Sequence, residues 1–484
     1  MRNRIFYPFM VLIMMMLAGC SEDEPVYSPP DPPLEGVGEA TVWVTSGNRN
    51  RLLEQDSDII IYEGNQTELP FTAVKFDELL QQIEGYGAAL TGSSAWLINR
   101  QMNAAQRQQL LIDMFHPDNG IGVSYLRLPM GASDFSLSNY TYNDLLSGQT
   151  DPDLELFSIA SDRQDIIPVL KQILDINPQV KIMGSPWSAP AWMKTSGSLM
   201  GGRLRQEWYD TYALYFVKFV QAYAEEGITI DAISVQNEPL HETSGYPSML
   251  MPAEEQNLFI RDHLGPLFSQ HDITTKIIIY DHNWDRPDYP LLILSDPVTR
   301  NYVAGSAFHA YAGNVSAMGQ VHALHPDKGL YFTEVSGGGW ATDFSDNLKW
   351  KMSNIFIGTA NNWSKNALLW NLALDPNDGP TNGGCQNCRG VVTILPGGGV
   401  ERNEEFYALA HMSKFVKQGA RRATSSSFAS SENLESVAFL NPDGSRVLVV
   451  LNKNSSQKSF AVKYDDNIFE YRLEGNAVAT IIWE

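Results

Sequence analysis

Between Ile83 and Leu372 short apolar runs alternate with helical segments, and few chain topologies accommodate that pattern. The runs are Ile83–Ala89, Ser124–Met130, Val180–Gly184, Asp231–Gln236, Lys276–Asp281, Gly305–Tyr311, Gly329–Glu334 and Asn366–Leu372. They have the length and the branched, apolar content of strands buried on both faces. Helical periodicity separates most of them: Asn103–Phe115 places Leu110, Leu111 and Met114 on one side, and Arg163–Asn177 does the same with Ile166, Ile167, Leu170 and Ile173. Arg205–Glu226, Ala253–Phe268 and Asp346–Asn361 are further helices. Eight strand–helix units predict an α/β chain folded as a (β/α)8 TIM barrel.

The ends of the chain follow a different rule. After a last helix at Phe406–Gly419, the segments Glu435–Leu440, Arg446–Asn452, Ser459–Tyr464 and Ala477–Trp483 alternate, with turns at Asn441–Gly444 and Asn452–Ser456. This is an antiparallel β module. The strand around Trp43, with no helix close behind it, is expected to join it as a side β-sandwich. The organisation is therefore a leader over 1–19, a tether over 20–40, sandwich strands over 41–80, the barrel over 81–405, and the last helix with the C-terminal sandwich over 406–484.

The leader is expected from Arg2 and Arg4 followed by an apolar run from Ile5 to Leu17. That run is a secretory signal core, shorter than the roughly 20 apolar residues a membrane-spanning helix needs. Its ending, Leu17-Ala18-Gly19-Cys20, resembles a bacterial lipobox, which makes Cys20 the lipidation site. Ser21-Glu22-Asp23-Glu24 and the Pro-rich stretch to Pro33 form the tether, and the acidic residues resemble the surface-export signal of Bacteroidetes lipoproteins. The expectation is an exported outer-membrane lipoprotein, facing the cell surface, monomeric, and touching the membrane through its anchor alone.

A net charge of −22 excludes nucleic acid as a partner, because phosphate binding needs a Lys/Arg-rich face. Eleven Trp and twenty Tyr in a chain only 19% charged suit a ligand recognised by stacking and hydrogen bonding, and sugars are one such class. In a parallel barrel the site lies at the C-terminal ends of the strands. Those ends carry Arg127 and Asp134, Trp187, Asn237 and Glu238, Asp281, His282 and Trp284, His309 and Tyr311, Glu334, and Trp370 with Asn371. Glu238 and Glu334 are two carboxyls ringed by aromatics. Hydrolysis of a glycosidic bond with retention needs such a pair about 5–5.5 Å apart. The same residues also fit a sugar-binding cleft without turnover, or structural ion pairs with Arg127. Cys385 and Cys388 lack the further ligands of a zinc site and sit in no thioredoxin-like unit, so a local disulfide across a Gly-rich loop is the better account. His282 and His309 show no zinc spacing, and no cofactor or metal is implied.

Several motifs carry a family resemblance. Ser234-Val235-Gln236-Asn237-Glu238-Pro239 is similar to the acid/base strand of clan A glycoside hydrolases, and Tyr331-Phe332-Thr333-Glu334-Val335-Ser336-Gly337 resembles the nucleophile strand of glycoside hydrolase family 30. The runs from Arg127 to Phe135, Ser185 to Pro190 and Trp370 to Leu374 match in order and spacing, so the likeness extends from about Gly85 to the C-terminus. It implies a retaining β-glycosidase with Glu334 as nucleophile and Glu238 as acid/base, the latter with a raised pKa. It implies that Asn237 contacts the sugar 2-OH, that Arg127 and Tyr311 contact Glu334, and that Asp134, Trp187 and Trp370 hold the sugar. His282 and His309 would hydrogen-bond sugar or Glu334. Tyr280-Asp281-His282-Asn283-Trp284-Asp285 and the Cys385–Cys388 loop resemble the β-1,6-glucanase branch, with the glucosylceramidase branch as the alternative; His309-Ala310-Tyr311 departs from the latter.

Overall fold

The computed structural model describes residues 36–484. The expected signal, Cys20 and the tether as far as residue 35 lie outside the described residues. Among those described, no helix is long and apolar enough to cross a membrane.

Eight parallel strands follow one another around the barrel: Gly85–Ala89, Tyr125–Pro129, Lys181–Ser185, Ala232–Ser234, Lys276–Asn283, Val303–His309, Gly329–Glu334 and Asn366–Leu369. They are called barrel strands one to eight below. Strand one pairs with both strand two and strand eight. The seam between strands seven and eight is closed by Lys365 N–H donating to Leu330 O at 2.8 Å and Phe332 N–H donating to the Asn366 side chain at 2.8 Å. Tyr125, Met183, Ala232, Ile278, Ala307, Tyr331 and Leu368 fill the interior, so the barrel is a packed core and not a pore.

The helices occupy the outside. Ala104–Phe115 begins with a reciprocal capping box between Asn103 and Gln106, which satisfies orphan N–H groups of the first turn. Ile166–Ile176 and Tyr209–Glu225 bury apolar faces rich in Ile, Tyr and Phe. Glu404–Ser413 is the helix that follows strand eight, so the last helix completes the barrel and does not open the sandwich. It also ties the two together: His411 hydrogen-bonds Thr480 at 2.8 Å and Thr45 at 2.9 Å.

The sandwich is built from both chain ends, as two layers joined by two long bent strands. Gly36–Ser46 pairs through its first half with Ile59–Glu63 and through its second half with Ala477–Trp483. Phe71–Gln82 likewise pairs with Lys458–Tyr464 and then with Arg421–Ser425. The tether boundary is therefore corrected: residues 36–40 are ladder, because Glu39 and Ala40 register against Ile60 and Ile59.

Candidate active site

A cavity of about 420 Å³ opens at the C-terminal end of the barrel, and Glu238 and Glu334 both line it. Asp134, Trp187, Asn237, His282, Tyr311 and Trp370 line it too. One oxygen from each glutamate and one His309 nitrogen all lie within 4.8 Å of one another. This is the close carboxyl spacing of retaining glycosidases, with no room for a water between the two groups.

The backbone beneath the site is bent to aim these groups. Glu238 (φ 45°), Asp281 (φ 66°) and Asn371 (φ 53°) adopt left-handed conformations that are uncommon for non-glycine residues. Strand five is bulged next to Asp281. Ile278 faces the barrel interior, so strict alternation would turn Tyr280 inward and Asp281 outward; the bulge reverses this, and Asp281 is the buried inward carboxylate.

Arg127 organises the layer below the cavity. It is fully buried; its guanidinium donates to Asp281 at 2.7 Å, to Asn237 Oδ1 at 2.6 Å, and to Glu334. Ser185, Ser234 and Thr333 hydroxyls also converge on Asp281. Although burial opposes ionisation, Arg127 and His309 hold the Asp281 carboxyl far below the usual range. His309, equally buried, sits between Asp281 at 3.0 Å and Glu238 at 3.1 Å. Burial lowers its pKa, yet the surrounding Glu334, Asp281 and Glu238 raise it to about 9.

These contacts decide where protons rest. Burial pushes Glu238 up, but the His309 hydrogen bond and the nearby His282 bring it down to about 2. Glu334 is raised, chiefly by burial, against the pull of His309 and Arg127. The raised pKa expected of Glu238 is not what its contacts in the free site favour: His309, hydrogen-bonded to it through Nδ1 at 3.1 Å, draws it down. Glu334 is nonetheless arranged for the carboxylate form, since Arg127 donates to Oε2 and Tyr311 Oη donates to Oε1 at 3.0 Å. Asp134 is raised well above its ordinary value by burial and by the Glu334 charge. His282 is lowered to about 4 by burial, so it is neutral.

Four of the strand-end candidates for substrate contact are corrected, since they do not line the cavity, while Arg127 makes the expected contact with Glu334. Arg127, Asp281 and His309 expose none of their surface and lie under the cavity, where they position Glu334, Asn237 and Glu238 without reaching a ligand. Trp284 is core: it is not among the residues lining the cavity, and its ring lies 5.5 Å from Phe332. Cys385 and Cys388 are bonded to each other and form part of the cavity wall. His241, Tyr246 and Trp340, which line the same cavity, escaped the sequence reading. Trp340 stands only six residues past Glu334, behind three glycines, which is the signal that could have found it. Glu238, His309 and Glu334 also form a potential metal-ligand group among the described residues, but Arg127 already supplies the cation against Glu334.

Residues 83–416 match the glycosyl hydrolase family 30 TIM-barrel domain, and residues 419–481 match the family 30 beta sandwich domain. The chain belongs to glycoside hydrolase family 30. It is a glycosidase, a β-glycoside hydrolase whose clan works with retention. It is 35% identical to an endo-1,6-β-D-glucanase of Aspergillus fumigatus over 77% of this chain and 78% of that protein. It is 31% identical to the lysosomal acid glucosylceramidase of Mus musculus, over 90% of this chain and 88% of that one. Among solved structures, an endo-β1,6-glucanase superimposes with a TM-score of 0.85 at 35% identity, covering 92% of this chain and 99% of the other.

Proposed function

We propose that this family 30 enzyme cleaves β-1,6-glucan internally by double displacement, with Glu334 as nucleophile and Glu238 as acid/base. The observation that carries the roles is the paired carboxyls within 4.8 Å, one fed by Arg127 and Tyr311 and the other by His309. Glu334 attacks the anomeric carbon while the proton shared by His309 and Glu238 passes to the leaving oxygen; water then enters, giving its proton back to Glu238. Asn237, whose Oδ1 is occupied by Arg127, keeps its amide N–H groups for the sugar 2-OH. Trp187 and Trp370, stacked 5.2 Å apart, form the apolar floor under the sugar, and Asp134 offers a hydrogen-bonding carboxyl beside it.

The higher identity to endo-1,6-β-glucanases than to the glucosylceramidase supports the glucan as substrate. Export and anchoring through Cys20 at the cell surface form part of the same proposal, since a polymer must be met outside the cell. The test is a time course on linear β-1,6-glucan beside glucosylceramide in detergent, with products resolved by chain length. A ladder of β-1,6 oligosaccharides is expected. Release of ceramide and free glucose from glucosylceramide, with the polymer left untouched, would replace the substrate while leaving both glutamates in their roles.

A further inference from the structure

The walls of the cavity are unequal. On one side the loops that follow strands two, three, four and eight dock on each other. Asn382 N–H donates to Asp134 O at 2.7 Å, and Gly201 N–H donates to Ser248 Oγ at 3.1 Å. The strand-four and strand-eight loops meet backbone to backbone: a β-carbon on Gly383 would lie 2.0 Å from Gly245 O. Strands four and eight are opposite one another in an eight-stranded barrel, so this contact bridges the mouth and closes it on the side of Asp134.

On the side of strands five to seven the rim is open. Tyr311 and Trp340 line the cavity there and expose 46% and 57% of their surface. Trp340 is held firmly for a residue so exposed. A β-carbon on Gly338 would lie 2.2 Å from its indole, Gly337–Gly338 pairs with Cys388–Arg389, and Gly339 N–H donates to Asn387 O at 2.8 Å. The Cys385–Cys388 bond closes the loop that carries this pairing. A large apolar ring left in water on a fixed backbone at the open rim of a sugar-cleaving site has a ready partner in the apolar face of a pyranose.

We propose that Trp340 is the stacking platform for the sugar ring on the leaving-group side of the scissile bond, with Tyr311 as its near edge. The inference rests on the double-displacement reading above and adds to it a binding site for an acceptor glucopyranose. Such a site acts in both directions. When a sugar instead of water occupies it, the sugar's hydroxyl oxygen attacks the anomeric carbon, the bond from that carbon to Glu334 breaks, and the hydroxyl proton passes to Glu238.

The experiment uses the full-length protein with an aryl β-glucoside as donor and gentiobiose as added acceptor, in wild type, Trp340→Ala and Trp340→Phe, with melting curves to establish folding. In Trp340→Ala the ratio of transfer to hydrolysis is expected to fall about tenfold. The loss in kcat/KM on a β-1,6-linked gluco-oligosaccharide is expected to exceed that on β-glucosyl fluoride, whose leaving group has no ring to stack, by a similar factor, mostly through KM, and Trp340→Phe is expected to recover most of both. An unchanged ratio in folded Trp340→Ala, or equal losses on both substrates, overturns the platform. A loss confined to glucosylceramide assigns the ring to an alkyl chain and overturns it too. A wild-type protein that releases nothing from any β-glucoside overturns the double-displacement reading and the platform together, whereas the other failures touch Trp340 alone.

Discussion

The two ends of the barrel carry opposite charge arrangements. At the N-terminal end the buried carboxylate of Glu84 is met by Lys276 at 2.7 Å, Lys365 at 2.9 Å and Lys181 at 3.4 Å. At the C-terminal end a single guanidinium, Arg127, serves Glu334, Asp281 and the Asn237 amide, while Glu238 and Asp134 crowd the same space. Below, cations outnumber the acid and their stems reach water, so Glu84 is held ionised, down to about 2 despite its burial. Above, acids outnumber cations in a dry layer, and the group retains a proton that can be handed on. The contrast separates a cluster that closes a fold from one that performs chemistry.

Removing an acid from each end should therefore give different failures. The largest effect is expected at the top: Glu334→Gln should lower kcat on an aryl β-glucoside at least about a thousandfold while the protein keeps its melting temperature and still binds glucose-like inhibitors. Near-normal turnover in that folded variant would remove the nucleophile assignment. Next, His309→Asn tests the stored proton. Because His309 is raised to about 9, the Glu238–His309 pair keeps its proton across neutrality and loses it as pH rises. Without the imidazole, Glu238 must hold the proton alone, and the alkaline limb of kcat/KM should move down by about one to two pH units. An unmoved limb would show that His309 only packs.

At the bottom, Glu84→Gln should leave kcat within about twofold but cost stability of about 2 to 3 kcal/mol at pH 7, from the depressed pKa. The sign follows from the depression: this stability is present above the unfolded value near 4.5 and is lost as pH falls toward 2. Wild type should thus lose its advantage over the variant in urea melts on acidification, and a constant difference across that range would refute the ionised Glu84.

The strands of the barrel were legible because parallel strands buried on both faces leave uninterrupted apolar runs, as Lys276–Asp281 and Gly329–Glu334 do. Glu238 and Glu334 were legible because each ends such a run within a distinctive motif. What escaped depended on local geometry that composition does not record. The bulge at Asp281 exchanges the facing of Tyr280 and Asp281, so a strand-end acid that looks available to substrate is instead sealed beneath it. Trp284 was misplaced for a related reason: past the bulge the chain turns outward, and its ring meets Phe332 on the helix-facing side. The strands Ile59–Glu63 and Asn467–Leu473 were missed individually because much of their surface faces water, which weakens the apolar signal. Trp340 was overlooked because a ring that packs against little leaves no periodic trace.

The strand Gly36–Ser46 has a mechanical consequence. It is hydrogen-bonded on both sides, to Ile59–Glu63 over its first half and to Ala477–Trp483 over its second. A pull applied to the chain at Gly36 acts along the strand axis, so these ladders are loaded in shear and their bonds must yield together instead of unzipping one by one. Such a load is borne within the sandwich, because the barrel strands that carry Glu238 and Glu334 pair only with one another.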